Sequence, residues 1–248
     1  MQIRKSHIAL MLVVGTMLSL GCAQRHEPAP ATQTPQRFRK TITRRAEYRY
    51  LLYLPRDYAI DSKRRWPLVI FLHGKGERGD DLERVKSHGP PKMVKQGREF
   101  PFVLASPQCP DKQRWNVDDL NALLDDLLAR HRVDRDRVYV TGLSMGGWGT
   151  WQWISKYPQR FAAAVPICGG ADRMLFDRTN LPPVWAFHGD QDKAVPVEES
   201  RHMVEKWRQD GGEAKLTIYP GVGHDSWKKA YDDPAMWQWL LSHKRENH

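Results

Sequence analysis

The sequence predicts an α/β fold: a mostly parallel sheet with helices on both of its faces. Seven short runs rich in branched and aromatic residues recur between residues 48 and 219, and amphipathic helical stretches lie among them. Glycine-bearing turns follow the runs that end at Leu72, Thr141 and Phe187. Alternation of strand and helix is the pattern of a sheet covered on both sides. At 248 residues the chain suffices for one such domain, with little left for a second.

Residues 1–22 read as an export signal. Arg4 and Lys5 precede an apolar run from Ile8 to Leu20, which ends at Gly21-Cys22. That run is too short for a membrane helix, which needs about 20 apolar residues. Leu18-Ser19-Leu20-Gly21-Cys22 resembles the lipobox of bacterial lipoproteins, with Ser19 where that pattern prefers Leu. Two outcomes follow: acylation of Cys22, with several lipid chains tying the protein to a membrane, or plain cleavage and release. Residues 23–36, rich in Pro, Ala, Thr and Gln, read as a flexible tether, and the domain is expected to occupy residues 37–248.

The net charge of +10 suggests a nucleic-acid partner until its distribution is examined. Residues 1–65 hold 13 Lys/Arg against 4 Asp/Glu, which leaves the rest near neutral and without a basic footprint. No nucleic acid is expected as partner. Arg37, Arg39, Lys40, Arg44 and Arg45 form a solvated stretch near the anchor, or one that touches anionic lipid or wall polymers.

Within the domain, strands are expected at Tyr48–Leu54, Leu68–Leu72, Phe102–Ala105, Val138–Thr141, Ala162–Ile167, Val184–Phe187 and Lys215–Tyr219. Helices are expected at Asp118–His131, Gly146–Tyr157, Val197–Gln209 and Pro234–Ser242. Leu120, Leu123, Leu124, Leu127 and Leu128 share one helical face, which should pack on the sheet. Cys109 and Cys168 follow strands expected three positions apart, hence ~14 Å at about 4.8 Å per step. A disulfide needs Cα atoms within about 7 Å, so only converging loops would close one.

Gly142-Leu143-Ser144-Met145-Gly146 has the G-x-S-x-G form of a nucleophile elbow, between a β-rich run and a helical one. A serine hydroxyl needs a base, and the base needs a third group to orient it. Asp192 follows one strand and His224 the last, so the order Ser144, Asp192, His224 places each residue at a strand's carboxyl end. His188 competes as base and Asp190 as acid; Asp225 lies beside the base. His188 lies in the same turn as the acid, where structural hydrogen bonding explains it better. The His73-Gly74-Lys75-Gly76 loop would give the Lys75 N–H to an oxyanion hole, and Met145 the second N–H. The Lys75 side chain could also meet an acidic substrate group. Of ten tryptophans, Trp148 and Trp151 are expected in the core, while Trp115 and Trp227 are the candidates to line a substrate cleft.

Leu72–Asp81, Pro107–Pro110, Gly142–Gly147, Pro166–Gly170, Phe187 to Pro196 and Tyr219–Trp227 together resemble a bacterial family of phospholipase/carboxylesterase-like α/β hydrolases. Its members are also described as predicted peptidases or prolyl-oligopeptidase-type hydrolases, related to dienelactone hydrolases and polyhydroxybutyrate depolymerase-like esterases. The resemblance runs from about Tyr50 to His243. It implies the α/β-hydrolase fold and a Ser144, Asp192, His224 triad; Lys75 departs from the small or apolar residue usual after His-Gly. The expected function is hydrolysis of a small-molecule or polysaccharide-linked carboxylic ester, at a membrane only through the lipid anchor and with neither cofactor nor metal. A prolyl-oligopeptidase-type peptidase is the runner-up, without the large propeller domain that gates those enzymes. A surface binding protein that keeps the fold without activity is the third reading.

Overall fold

The computed structural model describes residues 37, 39, 40, 43, 45–171 and 180–245. The chain divides into two units, Met1–Thr43 and Arg44–His248, and the fold below is that of the second. Cys22, the export signal and the tether lie outside the described residues.

Among the described residues seven strands form one sheet: β1 (Tyr50–Tyr53), β2 (Trp66–Leu72), β3 (Val103–Pro107), β4 (Val133–Leu143), β5 (Ala163–Ile167), β6 (Val184–Gly189) and β7 (Ala214–Tyr219). Their order is β1-β3-β2-β4-β5-β6-β7, and β1 pairs antiparallel with β3 while the other pairs are parallel. All seven expected strands are present. Among the described residues six helices cover them: α1 (Gly89–Lys95), α2 (Val117–Arg130), α3 (Met145–Lys156), α4 (Val197–Gln209), α5 (Trp227–Asp232) and α6 (Pro234–Ser242).

The inner strand β2 is buried along its whole length, and its alternate side chains feed two separate cores. Leu68, Ile70 and Leu72 meet Leu120, Leu124 and Leu127 of α2, Trp151 and Trp153 of α3 and Trp207 of α4. Val69 and Phe71 meet Met93 of α1, Tyr231 of α5 and Trp237 and Leu240 of α6. Both faces of the sheet are therefore covered, as its apolar strands require. Leu123 and Leu128 are partly buried at the edge of the first core. Asn116 caps α2 by accepting the N–H groups of Asp118 and Asp119, and Asp233 caps α6 by accepting that of Ala235.

Cys109 and Cys168 are both buried and unpaired, as the separation of β3 from β5 by β2 and β4 requires. Among the described residues no helix is long and apolar enough to cross a membrane.

Candidate active site

The turn from β4 into α3 is possible only with glycine on both sides of Ser144. A Cβ on Gly142 would lie 2.4 Å from the Gly146 carbonyl oxygen, and one on Gly146 would lie 1.9 Å from that of Leu72. Ser144 itself has φ 53° and ψ −116°, a conformation that a non-glycine residue holds only when its surroundings impose it. The Ser144 N–H supplies part of that constraint by donating to the Ile167 carbonyl (3.0 Å) and facing the Cys168 Sγ (3.3 Å). The hydroxyl is thereby held at the carboxyl edge of the sheet, at the N-terminus of α3.

His224 reaches the same point from the turn after β7. Its Nε2 lies 2.9 Å from the Ser144 Oγ, and its Nδ1 lies 2.6 Å from the Asp192 Oδ2. Because Asp192 is a carboxylate acceptor, Nδ1 carries the ring proton and Nε2 is left as acceptor toward the serine hydroxyl. The Asp192 side chain is fully buried and that of His224 is 28% exposed. Burial pushes the Asp192 carboxyl up, but the Val195 N–H, the His224 ring and the Ala194 N–H outweigh it, so its pKa lies below the ordinary value. The Asp192 carboxylate is charged, fixed by two backbone donors on Oδ1 (2.8 and 2.9 Å) and aimed at His224 Nδ1 through Oδ2.

The competing residues are occupied elsewhere. His188 is buried with Nε2 3.0 Å from the Val195 carbonyl and 3.2 Å from Asp192 Oδ2, so that nitrogen donates, while Nδ1 lies 2.7 Å from the Ser200 hydroxyl, which itself reaches the Gly169 carbonyl at 3.1 Å. Desolvation holds its pKa low. Asp190 accepts the Gly221 N–H at 2.7 Å, bracing the turn that carries His224, and Asp225 pairs with Lys228 at 2.7 Å.

The loop after β2 passes beside Ser144. A Cβ on Gly74 would lie 3.7 Å from the Ser144 Cβ, so the backbone that leads into Lys75 passes beside the hydroxyl. Met145 opens α3, where the first N–H groups have no intrahelical partner. The loop is anchored from behind by His73, which is buried, takes the Cys109 N–H on Nε2 (3.0 Å) and meets the Gly74 carbonyl with Nδ1 (2.6 Å). Desolvation lowers its pKa to about 4, so it is neutral at pH 7.

A model of the dienelactone hydrolase family matches residues 104–235, just over half of the sequence. The chain belongs to that family. A solved thermostable esterase is 34% identical with a TM-score of 0.69, over 79% of this chain and 59% of that one. The bifunctional acetylxylan esterase/xylanase XynS20E of Neocallimastix patriciarum is 23% identical over 165 residues, 63% of this chain and 23% of its own length. Poly(3-hydroxyalkanoate) depolymerase C of Paucimonas lemoignei is 45% identical over 51 residues, 21% of this chain and 12% of its own length. The chain thus spans less than a quarter of each of these two curated relatives.

Trp115 corrects the sequence reading in this family member. It is only 5% exposed, donates its indole N–H to the His73 carbonyl (3.2 Å) and packs its ring on His73 at 4.8 Å, so it braces the loop and does not line a cleft. Trp227 stands edge-on to the His224 ring at 5.4 Å and 89°, with His88 at 5.4 Å. It borders a groove of about 270 Å³ between α1 and α5, lined also by His88, Lys92 and Tyr231. A larger recess of about 480 Å³, bordered by Phe161, Leu181 and Glu213, lies at the opposite ends of the strands and contains none of these residues. Trp148 is half-buried, unlike Trp151, which is fully enclosed.

Two neighbours of the site escaped the sequence reading. Glu77 is buried behind the loop, 3.8 Å from His73 and 3.7 Å from His88, with Oε2 lacking a hydrogen-bond partner. Cys168, at φ 42°, closes the floor under Ser144. The only signal for either was its place in a family motif.

Proposed function

We propose that this chain is a serine hydrolase that cleaves carboxylic esters through an acyl-enzyme on Ser144. The observation that carries the reading is the unbroken line from Asp192 through His224 to the Ser144 Oγ, at 2.6 and 2.9 Å. As Ser144 attacks the ester carbonyl, its proton passes to His224 Nε2, and the charged Asp192 stabilises the resulting imidazolium. The Lys75 and Met145 N–H groups receive the carbonyl oxygen as it becomes an oxyanion. The imidazolium then gives its proton to the leaving alkoxide, and water repeats the sequence to free the acid and restore Ser144.

The acetylxylan esterase and polyester depolymerase relatives support an ester substrate, small or polysaccharide-linked, and Trp227 with its groove would take part of it. The Leu18–Cys22 segment supports export with a lipid anchor on Cys22. Purified protein is to be assayed on p-nitrophenyl esters of increasing chain length and on a prolyl peptide amide, beside Ser144→Ala. Ester turnover that the variant loses supports the proposal. Amide cleavage alone favours a peptidase, and no turnover favours a binding protein.

A further inference from the structure

The proposed triad shares its floor with a thiol. Cys168 Sγ, an Asp192 carboxylate oxygen and an imidazole nitrogen of His224 all lie within 4.8 Å of one another. Cys168 is fully buried, and the Ser144 N–H faces its sulfur at 3.3 Å. Sulfur, nitrogen and carboxylate are the donor set of tetrahedral zinc sites, where bonds of about 2.0–2.3 Å need only small movements of atoms already this close. His224, the most exposed of the three, gives the path of entry.

We propose that Cys168, Asp192 and His224 form a binding site for a thiophilic divalent cation, zinc or cadmium, that switches the hydrolase off. The off-switch rests on the esterase reading above; the site itself does not. The cation takes the Nδ1 lone pair, and the proton that Nδ1 carried moves to Nε2. The ring remains neutral, but its Nε2 then donates toward Ser144 and cannot accept the serine proton. Cys168 binds as thiolate and releases one proton to solvent, so each cation bound frees one proton. Burial holds the thiol protonated in the metal-free protein, which leaves the triad undisturbed until a cation arrives.

The test uses the full chain carrying Cys22→Ser and Cys109→Ala, in which Cys168 is the only one of the three cysteines left. Cadmium chloride is titrated while the ultraviolet thiolate-to-cadmium absorption and the p-nitrophenyl acetate rate are followed in parallel. The site predicts that the band grows and the rate falls along one concentration curve, and that EDTA reverses both. A further Cys168→Ala should abolish the band and raise the inhibitory concentration about a hundredfold. Inhibition without a band, a band without inhibition, or neither overturns the proposal, and these outcomes need only the protein that retains Cys168. Absence of ester turnover before any cadmium is added counts against the esterase reading and its off-switch, while the band still tests the site.

Discussion

Replacing Asp192 with Asn tests the proposed acid because the surroundings dictate how the amide must sit. The Ala194 and Val195 N–H groups both donate to Oδ1, so the amide oxygen of the Asp192→Asn side chain is obliged to occupy that position. The NH₂ group then takes the place of Oδ2, where it faces two nitrogens. Toward His224 it donates to Nδ1, which forces the ring proton to Nε2 and leaves Ser144 without a base. Toward His188 it meets an N–H donor at 3.2 Å, a buried donor–donor contact costing about 1–3 kcal/mol of stability. The wrong tautomer alone lowers kcat by about 10⁴ in serine hydrolases, or roughly 5 kcal/mol of barrier at about 1.4 kcal/mol per decade. Steady-state kinetics on p-nitrophenyl acetate, with urea denaturation of the same sample, separates the two effects. Asp192→Asn activity within tenfold of wild type, or a greater loss from Asp190→Asn, would refute the reasoning.

Other predictions follow from packing and protonation. Gly146→Ala places a methyl 1.9 Å from the Leu72 carbonyl oxygen, so thermal denaturation should show a loss of about 3 kcal/mol or a failure to fold; a stable, active variant would contradict the elbow geometry. Trp151→Ala should cost about 3–5 kcal/mol and Trp148→Ala clearly less, measured by urea midpoints, because only Trp151 is fully enclosed. Trp227→Ala should raise KM for aryl esters, whereas Trp115→Ala should lower kcat by loosening the His73 loop; equal kinetic effects would deny that division. The folded pKa of His73 is depressed from 6.5 to about 4, so between those values the unfolded chain takes up a proton that the folded one refuses. Stability is then complete above pH 6.5 and falls by roughly 3 kcal/mol as the pH drops to about 4. His188, shifted the same way, adds to the slope. Unfolding midpoints independent of pH in this window would exclude neutral buried histidines.

The strands and long helices were legible because each writes a period into the sequence: near-continuous apolar residues for β2 and β5, and leucines three and four apart for α2. α1 and α5 span seven and six residues, under two turns, and leave too few apolar positions to mark a face. Gly89, with φ 62° and Pro90 and Pro91 after it, reads as a turn in sequence, although the prolines occupy the first turn of a helix where they cost nothing. Ser144, Asp192 and His224 could be picked out because glycine-bearing turns at strand ends mark where this kind of sheet exposes side chains. Trp115 could not be sorted from Trp227, since both lie near predicted strand ends and only the fold determines which ring the His73 loop covers. The place of Glu77 and Cys168 beside the site was not legible for a related reason: burial of a carboxylate or a thiol there is created by contacts between distant segments and has no local pattern.

The central claim is a covalent bond to Ser144. The most direct measurement is mass spectrometry of protein mixed with a slowly deacylating p-nitrophenyl ester and quenched in acid within the burst of p-nitrophenol. One acyl group on the peptide that contains Ser144, absent from Ser144→Ala, is the predicted result. A burst with the acyl group on any other residue, or turnover that persists in Ser144→Ala, would contradict the account.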